Sequence, residues 1–420
     1  MEKVIYHIDV NSAFLSWEAT YRLRHLNATL DLRDQVAAVG GDMAMRHGII
    51  LAKSMSTKKY NIKTGESIME AKQKCPHIML VPPHYRLYEQ CSAAFITILK
   101  QYSPDVEQYS IDEAFIDMTG TESLWGNPVQ TAFNIKERIY RELGFTVNIG
   151  ISSNKLLAKM ASDFKKPNRV HTLFPEEIEK KMWLLPAGDL FFVGRATVKK
   201  LHKLGIYTIG QLAQSDPEIL RLHMKKHGEA IWHFANGRDV SVVEPERPAN
   251  KGYGNSTTIA FDVTDASTAK LVLLALAEKV AARLRADGVK TEVISIGIKT
   301  HDFSYAGHQV TLRNATNITI EIHKYACQLF DQLWDGSPIR HLGIHTSRIK
   351  DNINMRQIDM FDSIDYEKLE TMDSTVDSIR MRYGKDSVKR LAFLGSRIDH
   401  MSGGISKEKH SVDYQKIEVL

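Results

Sequence analysis

Cysteine is scarce in this 420-residue chain: Cys75, Cys91 and Cys327 are the whole complement, and no two form a CxxC pair. That excludes a disulfide framework, and an odd, sparse count fits a reducing cytoplasm. No apolar run approaches the length of a membrane span. The opening stretch "MEKVIYHIDV" turns polar too early for a signal peptide. The patterns GxxxxGKS/T, GxGxxG and HExxH are also missing. Phosphate-loop hydrolysis, dinucleotide redox chemistry and zincin proteolysis therefore have no motif to rest on.

What is present is an ordinary soluble composition, 43% apolar and 25% charged. The length is too great for one core, so several domains are expected. A formal net charge of +5 mildly favours a polyanionic partner. The excess is uneven: residues 43–74 carry seven Lys/Arg against two Glu, and residues 250–350 twelve against nine acids.

Periodicity gives the organisation. "VIYHIDV" alternates, with Val4, Tyr6, Ile8 and Val10 on one side and Ile5, His7 and Asp9 on the other, and reads as a buried strand. Strands near 1–10, 106–118 and 145–151, with amphipathic helices at 85–101 and 128–143, predict a mixed sheet with helices on one face. Residues 20–77 read as an insertion and 172–236 as short helices. The Pro/Gly-broken segment 236–252 reads as a linker, and 364–383 as a helix in a tail of unassigned role. Residues 253–350 give the order β-α-β-β-α-β, expected to be a ferredoxin-like split. One face of that sheet should show Ser295, Gly297, Lys299, Gln309, Thr311, Arg313, His341, His345 and Ser347. It is donor-rich and free of carboxylates, as an ordinary solvated face or a phosphate-backbone contact would be.

"YSIDEAFIDM" sets Asp112 and Glu113 side by side within an apolar run. Like charges near a core are costly unless a cation or partner settles them. Asp9 ends the first strand, and a neighbouring strand would bring it beside the pair. Adjacent strand residues point to opposite faces, so Asp112 and Glu113 serve one site only near a turn. The competing account is a turn-capping Asp9 and a solvated hairpin.

"HIDVNSAF", "YSIDEAFIDM", "NIGISSNKLLAKMASDFKKPN", "NSTTIAFDVT" and "VAARLRADG" occur in that order. Together they resemble the Y-family, or translesion, DNA polymerases of the bacterial polymerase IV and V kind, over about residues 1–350. The resemblance implies an α+β right-hand polymerase. Its parts would be a ferredoxin-like palm (1–19 and 78–171), small fingers (20–77), a helical thumb with a helix-hairpin-helix (172–236), a linker (237–250), a little finger (251–350) and a tail (351–420).

It implies that Asp9, Asp112 and Glu113, with the Val10 carbonyl, hold two Mg²⁺ ions, that Glu113 is catalytic, and that Asp117 is structural. Phe14 matches a steric gate beneath the sugar, and Lys166 a triphosphate contact. The family's fingers carry Thr, Tyr and Arg where this chain has Ala52, Met55 and Lys58, so Lys58 keeps the charge without the bidentate fork. Arg46 and Lys53 are further basic candidates without motif support. In the thumb Gly194 is kept, but Phe192 stands in the first glycine's place. "QIDMF" at 357–361 is similar to the motif by which bacterial polymerases hold the sliding clamp, through Gln357, Met360 and Phe361. Primer–template DNA, deoxynucleotides and the clamp are the implied partners of a cytoplasmic monomer. A nucleotidyl cyclase with a similar palm, and a catalytically inactive clamp-recruited DNA-binding factor, are the alternatives.

Overall fold

In the computed structural model, residues 3–41, 48–246, 248–352, 356–357, 364–401 and 403 are described. The chain divides into two compact units at Arg247/Pro248.

The first unit is built on a five-stranded sheet. Its spatial order is Val106–Gln108, Glu113–Asp117, Ile5–Val10, Val147–Ser152 and Val170–Thr172, antiparallel except for the last pair. With helices Tyr85–Leu99 and Pro128–Leu143 this is the split β-α-β-β-α-β order, extended by one edge strand. Alternation in Ile5–Val10 works as expected: Tyr6, Ile8 and Val10 join Phe95, Ile135 and Phe145 in one core.

Helices are not confined to one face. Lys155–Asp163 covers the opposite side, where Ile5 and Phe115 meet Ala158. The reason lies in Gly150: a Cβ there would stand 2.0 Å from the Ala158 carbonyl oxygen, so the missing side chain lets the helix seat on the sheet. The strand Ile5–Val10 is consequently buried along its whole length, which alternation alone could not signal.

A separate three-stranded sheet, in the order Ile50–Lys53, Ala37–Gly40, Met79–Val81, carries its own small cores. The helix Ala13–His25 runs through the 19/20 boundary read from sequence. Short helices between Ile178 and Ala235 share a further core around Leu201, Leu212 and Ile231.

The second unit has the expected element order, but its strand order is not that of a ferredoxin-like split. From one edge it runs Tyr305–Thr316, Val289–Thr300, Ile339–Asp351, Gly254–Val263. The second and fourth strands are central, where the split arrangement would centre the first and third. Apolar content explains the placement: the central strands supply Ile294, Ile296, Ile298, Leu342 and Ile344 to the core. The polar run Asn255–Thr258 is left at an edge.

The helix Tyr366–Tyr383 docks on the helix Ala266–Ala286 through buried charge. Arg285 reaches Asp373 (3.2 Å) and Asp377 (2.7 Å), while Glu278, 3% exposed, receives Arg380 (2.5 Å) and Arg390. Burial opposes ionisation of Glu278, but the two guanidiniums outweigh it and hold its carboxyl below the usual range. The stretch read as a tail is thus part of this unit as far as 401.

Candidate active site

The strand Ile5–Val10 places Asp9, and the ladder places its neighbour: Asp9 lies directly opposite Glu113. Cross-strand partners share a face of the sheet, so both carboxylates project on the side of helix Lys155–Asp163. Asp112 precedes that strand, in the turn, where its carbonyl accepts the Val10 amide (3.0 Å). The turn is what frees Asp112 from the strict alternation that would have sent it to the far side.

Asp9, Val10, Phe14 and Asp112 line a cleft of about 330 Å³. Ala52, Lys53, Ser54, Met55, Lys58 and Thr64 from the three-stranded-sheet segment line the same cleft, as does Lys166. Ala52, Met55 and Lys58, the positions set against the family's Thr, Tyr and Arg, thus share a cleft with Asp9 and Asp112. Lys53 is a lining residue that no motif supported. Arg46, Met360 and Phe361 lie outside the described residues.

Charge is balanced by lysines. Lys166 bridges Asp9 Oδ1 (2.9 Å) and Asp163 (2.9 Å), and Lys159 donates to Glu113 Oε1 (2.5 Å). Burial, with Glu113 adding repulsion, pushes Asp9 up to about 7 although Lys166 opposes the shift. Asp112 is raised too, chiefly by burial and despite the Ser110 hydroxyl (2.7 Å). Burial also opposes ionisation of Glu113, but Lys159 outweighs it and leaves that carboxyl lowered. For Lys53 the direction is down, from burial and from Lys58.

The three acids do not close on one point. Among the described residues no three His, Cys, Asp or Glu side chains are arranged around a single cation position. Glu113 is turned to Lys159, while Asp9 and Asp112 face the cleft. The donor set is nonetheless one of hard oxygens, and two of its three carboxyls are held above their ordinary range. A hard divalent cation would relieve that demand, so the residues fit such an ion.

Several contributors carried no sequence signal beyond their motif. Asn148, fully buried, donates to the carbonyls of Ser162 (2.9 Å) and Lys165 (2.8 Å). Asn11 Oδ1 accepts the Asn168 amide (2.7 Å), so two asparagines hold the turn that carries Lys166. His7 donates or accepts at Ser162 (2.8 Å) through Nδ1; its Nε2 has no hydrogen-bond partner and sits 4.0 Å from Glu113. Behind Phe14, Tyr88 stacks at 4.6 Å and 10°, with Trp17 and Tyr85 at its edges. Asp117 accepts the Thr119 amide (2.9 Å), a turn-fixing role away from the cleft.

In the second unit, Ser295, Lys299, Gln309, His341 and His345 share one face, as alternation required. Gly307, Gly297 and Gly343 lie side by side across three strands, with Ser256 on the fourth. Arg313 is exposed on the edge strand. Gln357 is exposed, and its backbone N–H and C=O are both bonded to the Asn314 side chain (2.9 Å each). In the helical cluster Gly194 caps helix Arg195–Lys203 with open space around it.

Comparison with known proteins meets this geometry. The model of the impB/mucB/samB family matches residues 8–163, and that of the family's C-terminal domain matches 250–360. DNA polymerase IV of Clostridium acetobutylicum is 44% identical over 398 residues, covering 94% of this chain and 99% of that protein. The chain belongs to the DNA polymerase IV family. As such it is a DNA-directed DNA polymerase, the class that the motifs implied. The family's DNA polymerase IV from Acetivibrio thermocellus is 38% identical over 94% of this chain and 99% of its own length. DNA polymerase IV 2 of Bacillus subtilis is 34% identical over 94% and 95%. A solved Y-family DNA polymerase chimera of Dbh and Dpo4 shares the fold, with a TM-score of 0.70 at 20% identity, over 83% of this chain and 100% of its own. No helix among the described residues is long and apolar enough to cross a membrane.

Proposed function

We propose that this DNA polymerase IV relative performs translesion synthesis, adding deoxynucleotides to a primer 3′ end by two-metal nucleotidyl transfer. The observation that carries this reading is the cleft itself. Asp9 and Asp112 line it together with Lys53, Lys58 and Lys166, Lys166 already paired with Asp9, and Glu113 is the cross-strand partner of Asp9.

Asp9, Asp112, Glu113 and the Val10 carbonyl would hold two Mg²⁺ ions. When bound, the ions supply activation of the attacking 3′-oxygen and neutralisation of the leaving pyrophosphate. The remaining work is positioning and charge, which the protein's own groups provide. Lys166 and Lys58 hold the triphosphate, with Lys53 beside them. Lys166 must then exchange Asp9 for phosphate oxygens, and Lys159 must yield Glu113. Phe14, backed by its stacked tyrosine, supports the sugar. Gly194 at a helix start, and Lys299 and Arg313 on the second unit's sheet, contact DNA backbone. Gln357, Met360 and Phe361 form a clamp-binding motif, and the enzyme acts as a cytoplasmic monomer. The thumb-like helices and the donor-rich sheet have no purpose in a cyclase, and an inactive binding factor has no need of the carboxylates.

The test is primer extension by Asp112→Asn and Glu113→Gln proteins. Extension should fall by orders of magnitude while primer–template affinity stays near that of the parent. Near-normal extension by either variant would remove the assignment.

A further inference from the structure

His7 brings an unsatisfied nitrogen to the edge of the carboxylate pair. It lies two residues before Asp9 on the same strand, so its ring projects to the same side of the sheet, beneath helix Lys155–Asp163. The residue is fully buried. The neighbouring hydroxyl fixes its tautomer. Ser162 Oγ has one hydrogen and donates it to the Lys159 carbonyl (2.8 Å), so from His7 Nδ1, also 2.8 Å away, it accepts. Nδ1 therefore carries the ring proton, and Nε2 is a bare lone pair. Burial, helped by the charges of Lys159 and Lys166, keeps the imidazole from protonating. The lone pair has no hydrogen-bond partner and stands 4.0 Å from Glu113 Oε1, itself an acceptor. Two acceptors turned to each other at a largely buried place are costly, and a donor that reaches both in turn would account for them.

Such a donor is at hand. Lys159 Nζ bonds the same Oε1 at 2.5 Å, so the ammonium and the lone pair flank one oxygen. The lysine side chain is 11% exposed, with the Phe191 ring 5.8 Å from its nitrogen. Glu113 can serve a cation only by releasing this ammonium, and an ammonium left there without an acceptor would resist the release. Asp163 is the competing acceptor, at 3.9 Å, but it already takes Lys166 (2.9 Å) and is half exposed. Solvent reaches Asp163 in either state, whereas His7 Nε2 gains a partner only if Lys159 comes. A group whose bonding differs between two states shifts the balance between them.

We infer that His7 is a positioning residue: its Nε2 accepts an N–H of Lys159 when Glu113 turns to the metals, so the lysine changes acceptor without leaving the site. Lys159 remains an ammonium and His7 remains neutral, so no proton is transferred. The inference rests on the polymerase reading above and says where Lys159 goes once Glu113 is released.

The test is a titration of Mn²⁺ into the full chain held on a dideoxy-terminated primer–template with the next deoxynucleotide, the free ion being counted by electron paramagnetic resonance. His7→Phe keeps a ring without the acceptor and should need roughly tenfold more Mn²⁺, the scale of one hydrogen bond to a charged group. His7→Gln keeps an acceptor oxygen and should lie near the parent. In a Lys159→Met background, His7→Phe should change Mn²⁺ affinity by less than about twofold, because no ammonium needs the acceptor. A histidine that only supports the fold would cost the same in both backgrounds, and that result would overturn the inference even if His7→Phe melts below the parent. A loss in His7→Gln equal to that in His7→Phe would overturn it as well. Parent-like Mn²⁺ affinity of His7→Phe would do so too, and would leave the polymerase reading standing. Failure of the parent to retain Mn²⁺ beyond what DNA and nucleotide hold alone would overturn both.

Discussion

Phe14 shows how one side chain can be both wall and core. One face of its ring lines the cleft, and the other stacks on Tyr88. Tyr88 is fixed in turn, since His84 and Arg22 both bond the fully buried Glu18 (2.6 and 2.7 Å) to which its hydroxyl points. A ring so backed cannot retreat from an added hydroxyl. Phe14→Ala should therefore raise ribonucleotide over deoxynucleotide incorporation by at least tenfold, a shift of about 1.4 kcal/mol in discrimination. The check is paired single-nucleotide extension. An unchanged ratio in a folded protein would make the ring only core. Asp9, Asp112, Phe14 and Lys166 were legible because each sits in a recognisable run. Lys159, Asn11 and Asn148 were not, because their roles are bonds between residues distant in sequence, such as Asn148 to Lys165. No period or composition records such pairs.

At the scale of elements, alternation found the strands and the two helices behind the central sheet. It missed the helix on the far side, which depends on a backbone approach at Gly150. It also missed the strand order of the second unit, where element sequence alone does not choose between pairings. The face of that sheet was nonetheless legible, because side-chain period is independent of strand order. Its aligned glycines make room for neighbouring side chains of the same face: the Tyr305 ring lies over Gly297 and Gly307, and His345 and Ser256 close on Gly343. Replacing Lys299 and Arg313 together by Glu should weaken DNA binding for all sequences alike. It should also flatten the salt dependence, because fewer counterions are released. Titrations at several salt concentrations check this. Parent-like affinity and slope would make the face merely solvated.

At the scale of the whole molecule, each unit settles its own interior. The first closes the segment after the helical cluster onto its sheet side: Asp239 accepts the Leu156 amide (3.1 Å), and the Glu244 backbone amide donates to Glu107 Oε2 (2.8 Å). The second absorbs the helix Tyr366–Tyr383 through paired charges that would cost several kcal/mol to leave half-matched. Sequence period found that helix but not its attachment, since arginine–carboxylate pairing across a hundred residues leaves no local trace. The function proposed for the whole chain is lesion-tolerant, template-directed polymerisation. The most direct measurement is extension of a primer by the full chain with Mg²⁺, across a template base carrying a defined lesion, with template-free and Glu113→Gln controls. The account predicts products extended past the lesion that require template, metal and Glu113. Template-independent product, or equal product from the Glu113→Gln protein, would contradict it.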